Sequence, residues 1–134
     1  HTGGELSLPV YNKHLASPER LVLPLECGVK VIAAHCGTSS LLFDRDYSEL
    51  FAEMLQKFPN LYGDNSGMMT PFRCRHFSKI LGPKSEGRII YGSDIPIPIS
   101  SVWPRMWGLI TPSQRAELAR IKNPFELDFR IKQE

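Results

Sequence analysis

The chain has 134 residues, 42% of them hydrophobic and 22% charged, with a formal net charge of +2 at pH 7. That length suits one domain with an adequate core, and the near-neutral balance, with no basic block longer than a pair, argues against a nucleic-acid binder. No apolar run approaches the roughly 20 residues of a membrane span, and no basic-then-apolar leader opens the chain.

Because the sequence opens on His1 and not on Met, the true N-terminus is expected upstream. Residues 18–27 read as a helix, with Pro18 in the first turn, Leu21, Val22 and Leu25 on one face and Cys27-Gly28 as the stop. Pro24 falls inside this pattern and predicts a kink or break. Val29 to Cys36 reads as a strand with apolar residues on both faces, which predicts a sheet covered on both sides. After the loop Gly37-Thr38-Ser39-Ser40, Asp46-Tyr47-Ser48 opens an amphipathic helix carrying Leu50, Phe51, Met54, Leu55 and Phe58, and Pro59 ends it.

Asn60 to Asn65 is a weaker strand closed by Ser66-Gly67. A helix follows from about Pro71 to Leu81 with Phe72, Phe77, Ile80 and Leu81 apolar, and Gly82-Pro83 stops it. Arg88 to Asp94 is the third strand and runs into the proline-rich loop Ile95-Pro96-Ile97-Pro98. Thr111 caps a last helix with Pro112 at its first position, continuing through Leu118 and Ile121 to Asn123-Pro124. Trp103 and Trp107, four apart, predict one packing face near the rim.

Strands separated by helical crossovers predict an α/β fold with a parallel sheet and right-handed connections. Three strands cannot close a barrel, and a complete (β/α)8 barrel needs about 250 residues. The expected architecture is therefore the carboxyl-terminal half of a (β/α)8 TIM barrel, residues 1–134 forming a single partial domain. A free-standing three-stranded sandwich is the alternative, and it would leave its edges poorly protected. An unclosed half-barrel also predicts association, as a homo-oligomer, that buries its edge. The three cysteines, Cys27, Cys36 and Cys74, contain no C-x-x-C pair, which argues against a structural zinc site. Free thiols fit a reducing, cytoplasmic setting.

Two strands end in residues that carry chemistry: Ala34-His35-Cys36-Gly37 closes the first and Tyr91-Gly92-Ser93-Asp94 the third. Carboxyl ends of parallel strands are where α/β proteins place their sites. Strict alternation groups Val31, Ala33 and His35 on one face, and Ile90, Gly92 and Asp94 on another. With small Ala33 and Gly92 beneath the polar residues, His35 and Asp94 are expected to share one interior. A catalytic divalent ion is held by three or four N/O ligands with a place left for water. His35 can serve as ligand or proton shuttle and Asp94 as ligand or general base, with His1 as the third donor. Asp64 and Asn65 also end a strand and are read as either substrate contacts or turn residues. Glu5 and Asn12 are candidate substrate contacts in the loop after His1. Arg73, Arg75 and His76 are read as a solvated helix face. No G-x-S-x-G elbow occurs, so a triad centred on Ser93 is not expected.

His1-Thr2-Gly3-Gly4-Glu5, the run from Pro18-Glu19-Arg20-Leu21 to Gly28-Val29, Ala34-His35-Cys36-Gly37 and Tyr91-Gly92-Ser93-Asp94 occur in an order and spacing that resemble the amidohydrolase superfamily. The nearest branch is the metal-dependent hydrolases grouped with aminocarboxymuconate-semialdehyde decarboxylase. The resemblance covers nearly the whole chain and implies a (β/α)8 barrel. It implies that His1 stands for the ligand after strand five, His35 for the histidine after strand six, and Asp94 for the aspartate after strand eight. The His-x-His pair of strand one has no counterpart in these residues. The implied activity is hydrolysis of an amide, ester or lactone of a small molecule by metal-activated water, or decarboxylation of a small carboxylate. Zn²⁺, as one or two ions, is the implied cofactor. Alternatives are a truncated or degenerate non-catalytic half-barrel and a TatD-like metal-dependent nuclease, the latter disfavoured by the lack of a basic groove.

Overall fold

A computed structural model of the chain describes residues 1–4 and 11–133; Glu5, among the expected substrate contacts, lies outside the described residues. Strands β1 (Val31–Ala33), β2 (Leu61–Asp64) and β3 (Ile89–Ile90) form a parallel sheet in the order β1-β2-β3. Val31 pairs with Leu61 and Ala33 with Gly63, while Gly63 and Asp64 pair with Ile89 and Ile90. Helix α2 (Ser48–Lys57) lies between β1 and β2 in the chain, and α3 (Phe77–Ile80) between β2 and β3. This is an α/β protein with parallel strands joined by helical crossovers, as the alternation of patterns predicts. Among the described residues no helix is long and apolar enough to cross a membrane.

The outer strands are shorter than their apolar runs. β1 stops at Ala33 because the chain turns sharply over Ala34–Gly37, with His35 and Cys36 in the left-handed region. Helix α1 (Val22–Glu26) follows a 3-10 turn at Pro18–Leu21 and accepts Pro24 at its third position. The amide that proline lacks would have no partner in a first turn. The same reasoning explains α4 (Val102–Met106), which has Pro104 at its third position and was hidden by the prolines around it. The expected helix over 71–81 is split into a 3-10 turn at Arg73–His76 and α3. Helix α5 (Pro112–Leu118) has the expected Thr111 cap, closed into a capping box by Gln114. Beyond it, Asn123 caps a separate helix, α6 (Pro124–Ile131).

The core lies between α2 and one face of the sheet. Phe51, Met54 and Leu55 on α2 are buried together with Ala33, Leu61, Met68, Met69 and Cys74. Each such apolar side chain contributes about 1.5–3 kcal/mol by leaving water. Gly63 is required at the centre of β2, because a Cβ there would lie 2.6 Å from Phe51 Cζ and 2.5 Å from Cys36 Sγ. The opposite face is not covered: Ile32 remains 56% and Ile90 41% exposed. The expectation of a sheet covered on both sides therefore fails among the described residues.

Burial also sorts the thiols. Cys36 and Cys74 are inaccessible and Cys27 is exposed. Burial pushes the Cys74 thiol up to about 12, and the Cys36 thiol is pushed higher by burial and then by Asp64. In the folded protein, iodoacetamide near neutral pH is expected to modify Cys27 alone. Intact mass should then show one adduct, rising to three in denaturant.

Candidate functional site

The site is assembled where β1 and β2 end. Immediately after β1, His35 (φ 62°, ψ 13°) and Cys36 (φ 50°, ψ 33°) adopt a conformation that costs L-residues roughly 1–2 kcal/mol each. Hydrogen bonds on every side hold them there. The His35 amide donates to Asp64 Oδ1 at 2.9 Å, and its carbonyl accepts from the Thr38 amide at 3.0 Å and from Thr38 Oγ1 at 2.7 Å. Thr2 Oγ1 donates to the Ala34 carbonyl at 2.6 Å and accepts from the Gly37 amide at 3.1 Å. The segment that carries His1 is thereby attached to the same turn.

His35 Nδ1 lies 2.9 Å from both the carbonyl and the hydroxyl of Ser66. The carbonyl can only accept, so Nδ1 carries the hydrogen and Nε2 is the nitrogen with a lone pair to offer. The Ser66 hydroxyl also donates to Asp64 Oδ1, which accepts from the Ser66 amide at 3.1 Å. Burial and then the Arg73 guanidinium push the His35 pKa down, against the Ser66 carbonyl, Asp94 and Asp64, which raise it. The ring is therefore kept neutral, the form that a metal ligand or a general base requires.

Asp94 follows β3 and is itself left-handed at φ 62°. Its Oδ2 lies 3.9 Å from His35 Nδ1. Gly67 makes room for it: a Cβ at that position would be 2.5 Å from Asp94 Oδ2 and 3.1 Å from Arg73 Nη1. The His1 ring meets the His35 ring edge to face, with centroids 4.7 Å apart. His1 and Asp94 are thus each brought beside His35.

They do not meet for the reason that alternation suggests. The register aligns Ala33 with Gly63 and Ile89, so strict alternation would put His35 and Asp94 on opposite faces of the sheet. The left-handed turns after β1 and β3 break the alternation and swing both residues to one rim.

The remaining candidates divide. Asp64 Oδ1 is occupied by the donors of His35 and Ser66, so this oxygen orients the His35 loop. Asn12 caps the 3-10 turn Lys13–Ala16 by accepting from the His14 amide at 3.0 Å. It lines a cavity of about 590 Å³ that also touches His1, Gly4, Asp44, Arg45 and Tyr47. The reading of Arg73 and His76 as a solvated face is corrected: they are 5% and 8% exposed. Arg73, Phe77 and Ile80 lie at i, i+4 and i+7, a spacing that places the arginine on the buried stripe. Arg73 also donates to the Gly4 carbonyl.

Two imidazoles and a carboxylate are the donor types that suit a divalent ion such as Zn²⁺, and Ser66 engages the His35 ring through Nδ1. Among the described residues, no group of three His, Cys, Asp or Glu is spaced to hold an ion outright. Comparison with protein-family models, with curated proteins and with solved structures finds no match for this chain.

Proposed function

We propose that this chain is the carboxyl-terminal half of a (β/α)8 metal-dependent hydrolase acting on an amide, ester or lactone of a small molecule. Decarboxylation of a small carboxylate is the neighbouring reaction. One observation carries the reading: His1, His35 and Asp94 converge from three segments at the carboxyl end of a parallel sheet. The uncovered sheet face of Ile32 and Ile90 supports the architecture, since it is the face a barrel would turn inward. Three free cysteines accord with a cytoplasmic setting.

In this reading His1 Nδ1, left with the lone pair because Nε2 donates to the Gly4 carbonyl at 3.3 Å, His35 Nε2 and Asp94 would be three ligands, with the others supplied outside the described residues. A bound divalent ion supplies Lewis acidity and brings the pKa of coordinated water to about 7. The chain's own groups do the rest. Ser66 fixes the His35 tautomer. Asp94, with its side chain 35% exposed, can take a proton from water at the rim. The cavity beside His1 offers a place for substrate next to those groups.

A second reading is favoured by the absence of a three-ligand group among the described residues: a half-barrel that folds without turnover. Zinc titration by calorimetry and hydrolysis of an ester and lactone panel, run on the complete polypeptide that contains this half-barrel, separate the two. The hydrolase reading expects metal-dependent turnover, and Asp94→Asn should lower it by about 10²–10⁴-fold, the usual worth of a general base. Turnover that is absent with zinc supplied, or unchanged in Asp94→Asn, would sink it.

A further inference from the structure

We infer that Ser39, Arg75 and His76 form a proton-sensitive clasp that sets the placement of the His1 segment against His35. The contacts are specific. Arg75 Nε donates to His76 Nε2 at 2.9 Å, and Arg75 Nη2 donates to Ser39 Oγ at 2.8 Å. Ser39 Oγ lies 3.2 Å from the same His76 Nε2. A nitrogen that accepts from a guanidinium carries no hydrogen, so the His76 proton is on Nδ1, where Asp46 Oδ2 lies 3.5 Å away. The order Ser39-His76-Asp46 matches a serine-hydrolase relay, but Ser39 is fully buried and no acyl group can reach it.

The clasp joins the loop after His35 to the turn that carries Arg73, and between them those segments hold Gly4. The Gly4 amide donates to the Thr38 carbonyl at 3.0 Å, and the Gly4 carbonyl accepts from Arg73. Thr38 adjoins Ser39, and Arg73 sits two residues before Arg75. Both backbone groups of Gly4, three residues from His1, are therefore held by the two segments the clasp joins.

A proton on His76 Nε2 turns the acceptor into a donor. Ser39 can rotate and accept, but Arg75 has only donors and must withdraw from a now cationic ring. The charged groups that act on the ring are Asp46 at the start of α2, Arg75 and Arg73 on its own turn and Lys79 on α3. Burial lowers its pKa first; Arg75, Lys79 and Arg73 lower it further, and Asp46 raises it. A depressed histidine pKa gives a contribution that is complete above the unfolded value of about 6.5 and is lost as pH falls through the folded value.

The relevance of His1 placement to turnover rests on the hydrolase proposal; the readout below does not, so the two can fail separately. Amide exchange of Gly4 is followed by NMR from about pH 7.5 to about pH 5, the range of histidine titration. It is expressed as a protection factor, alongside the ¹⁵N shifts of the His76 ring. Protection of Gly4 should fall with the His76 midpoint, by at most about tenfold per pH unit for one proton. His76→Gln, whose amide oxygen can accept from Arg75 without titrating, should keep it flat. Protection that is flat in the parent chain, or that falls equally in His76→Gln, overturns the clasp. If that variant does not fold, the parent chain decides alone: a Gly4 midpoint displaced from the His76 midpoint overturns it equally.

Discussion

Replacing Lys132 with alanine is expected to destabilise the fold by about 3–5 kcal/mol, the cost of stranding a buried charge. Lys132 Nζ lies 2.6 Å from Asp128 Oδ2, with the two side chains 2% and 1% exposed. The same ammonium donates to the Gly92 carbonyl at 2.6 Å. It thus ties the end of α6 to the chain just past β3, two residues before Asp94. Burial pushes Lys132 down and Asp128 up, each toward its neutral form and against the pull of the other. Desolvation therefore weighs heavily on this pair, and losing one partner is worse than losing both. Lys132→Met combined with Asp128→Leu should come out close to neutral in urea denaturation, while Lys132→Ala should lower the midpoint sharply. Acid should lessen the damage in the single variant, because Asp128, left with only the Tyr91 hydroxyl, can then take a proton. A double variant as damaged as the single one would contradict this account.

The second large effect is expected at Phe51. Truncation to alanine should cost about 3–5 kcal/mol, the range for a fully buried aromatic ring, a large part of the 5–15 kcal/mol that holds a typical domain together. Phe51 is 2% exposed on α2, and its ring fills the space that Gly63 leaves on β2. The facing strand has no side chain at that point with which to close the gap. Phe43, 98% exposed, is the control; its alanine variant should stay within about 0.5 kcal/mol. Thermal melts of the two variants, run side by side, check the contrast.

Helix α2 and the central strand were legible because their patterns are local. Phe51, Met54, Leu55 and Phe58 repeat at helical spacing, and Pro59 ends the run. Thr111 announced its helix in the same way, through a cap that acts on an amide three residues away, whereas Asn123, read as the end of that helix, in fact caps a separate one. The outer strands were over-read. β-branched runs such as Val29 to Ala33 carry strand propensity, but pairing ends where the His35 turn begins.

For the candidate site, which residues gather was legible and how they gather was not. A histidine and an aspartate at strand ends pointed to one rim, yet the face counting behind that expectation depended on alternation continuing past Ala33 and Ile90. Left-handed backbone at His35, Cys36 and Asp94 ended it. No composition rule announces such a conformation at a histidine or a cysteine, because contacts distant in sequence impose it. Asp64 does so from 29 positions away. Arg73 was mistaken for surface because it is charged, although its spacing to Phe77 and Ile80 carried the opposite message.

The shortness of the outer strands has a consequence for the behaviour of the chain in concentrated solution. β1 has three residues and β3 two, and among the described residues each presents an unpaired outer edge. A long flat edge is a template for cross-β growth, whereas one of two or three residues offers an incoming strand few backbone partners. Lys30 immediately before β1 and Arg88 immediately before β3 act as charged gatekeepers of the kind that interrupt aggregation-prone stretches. The chain can therefore keep one sheet face bare, with Ile32 and Ile90 in view, and still resist becoming the seed of a fibril.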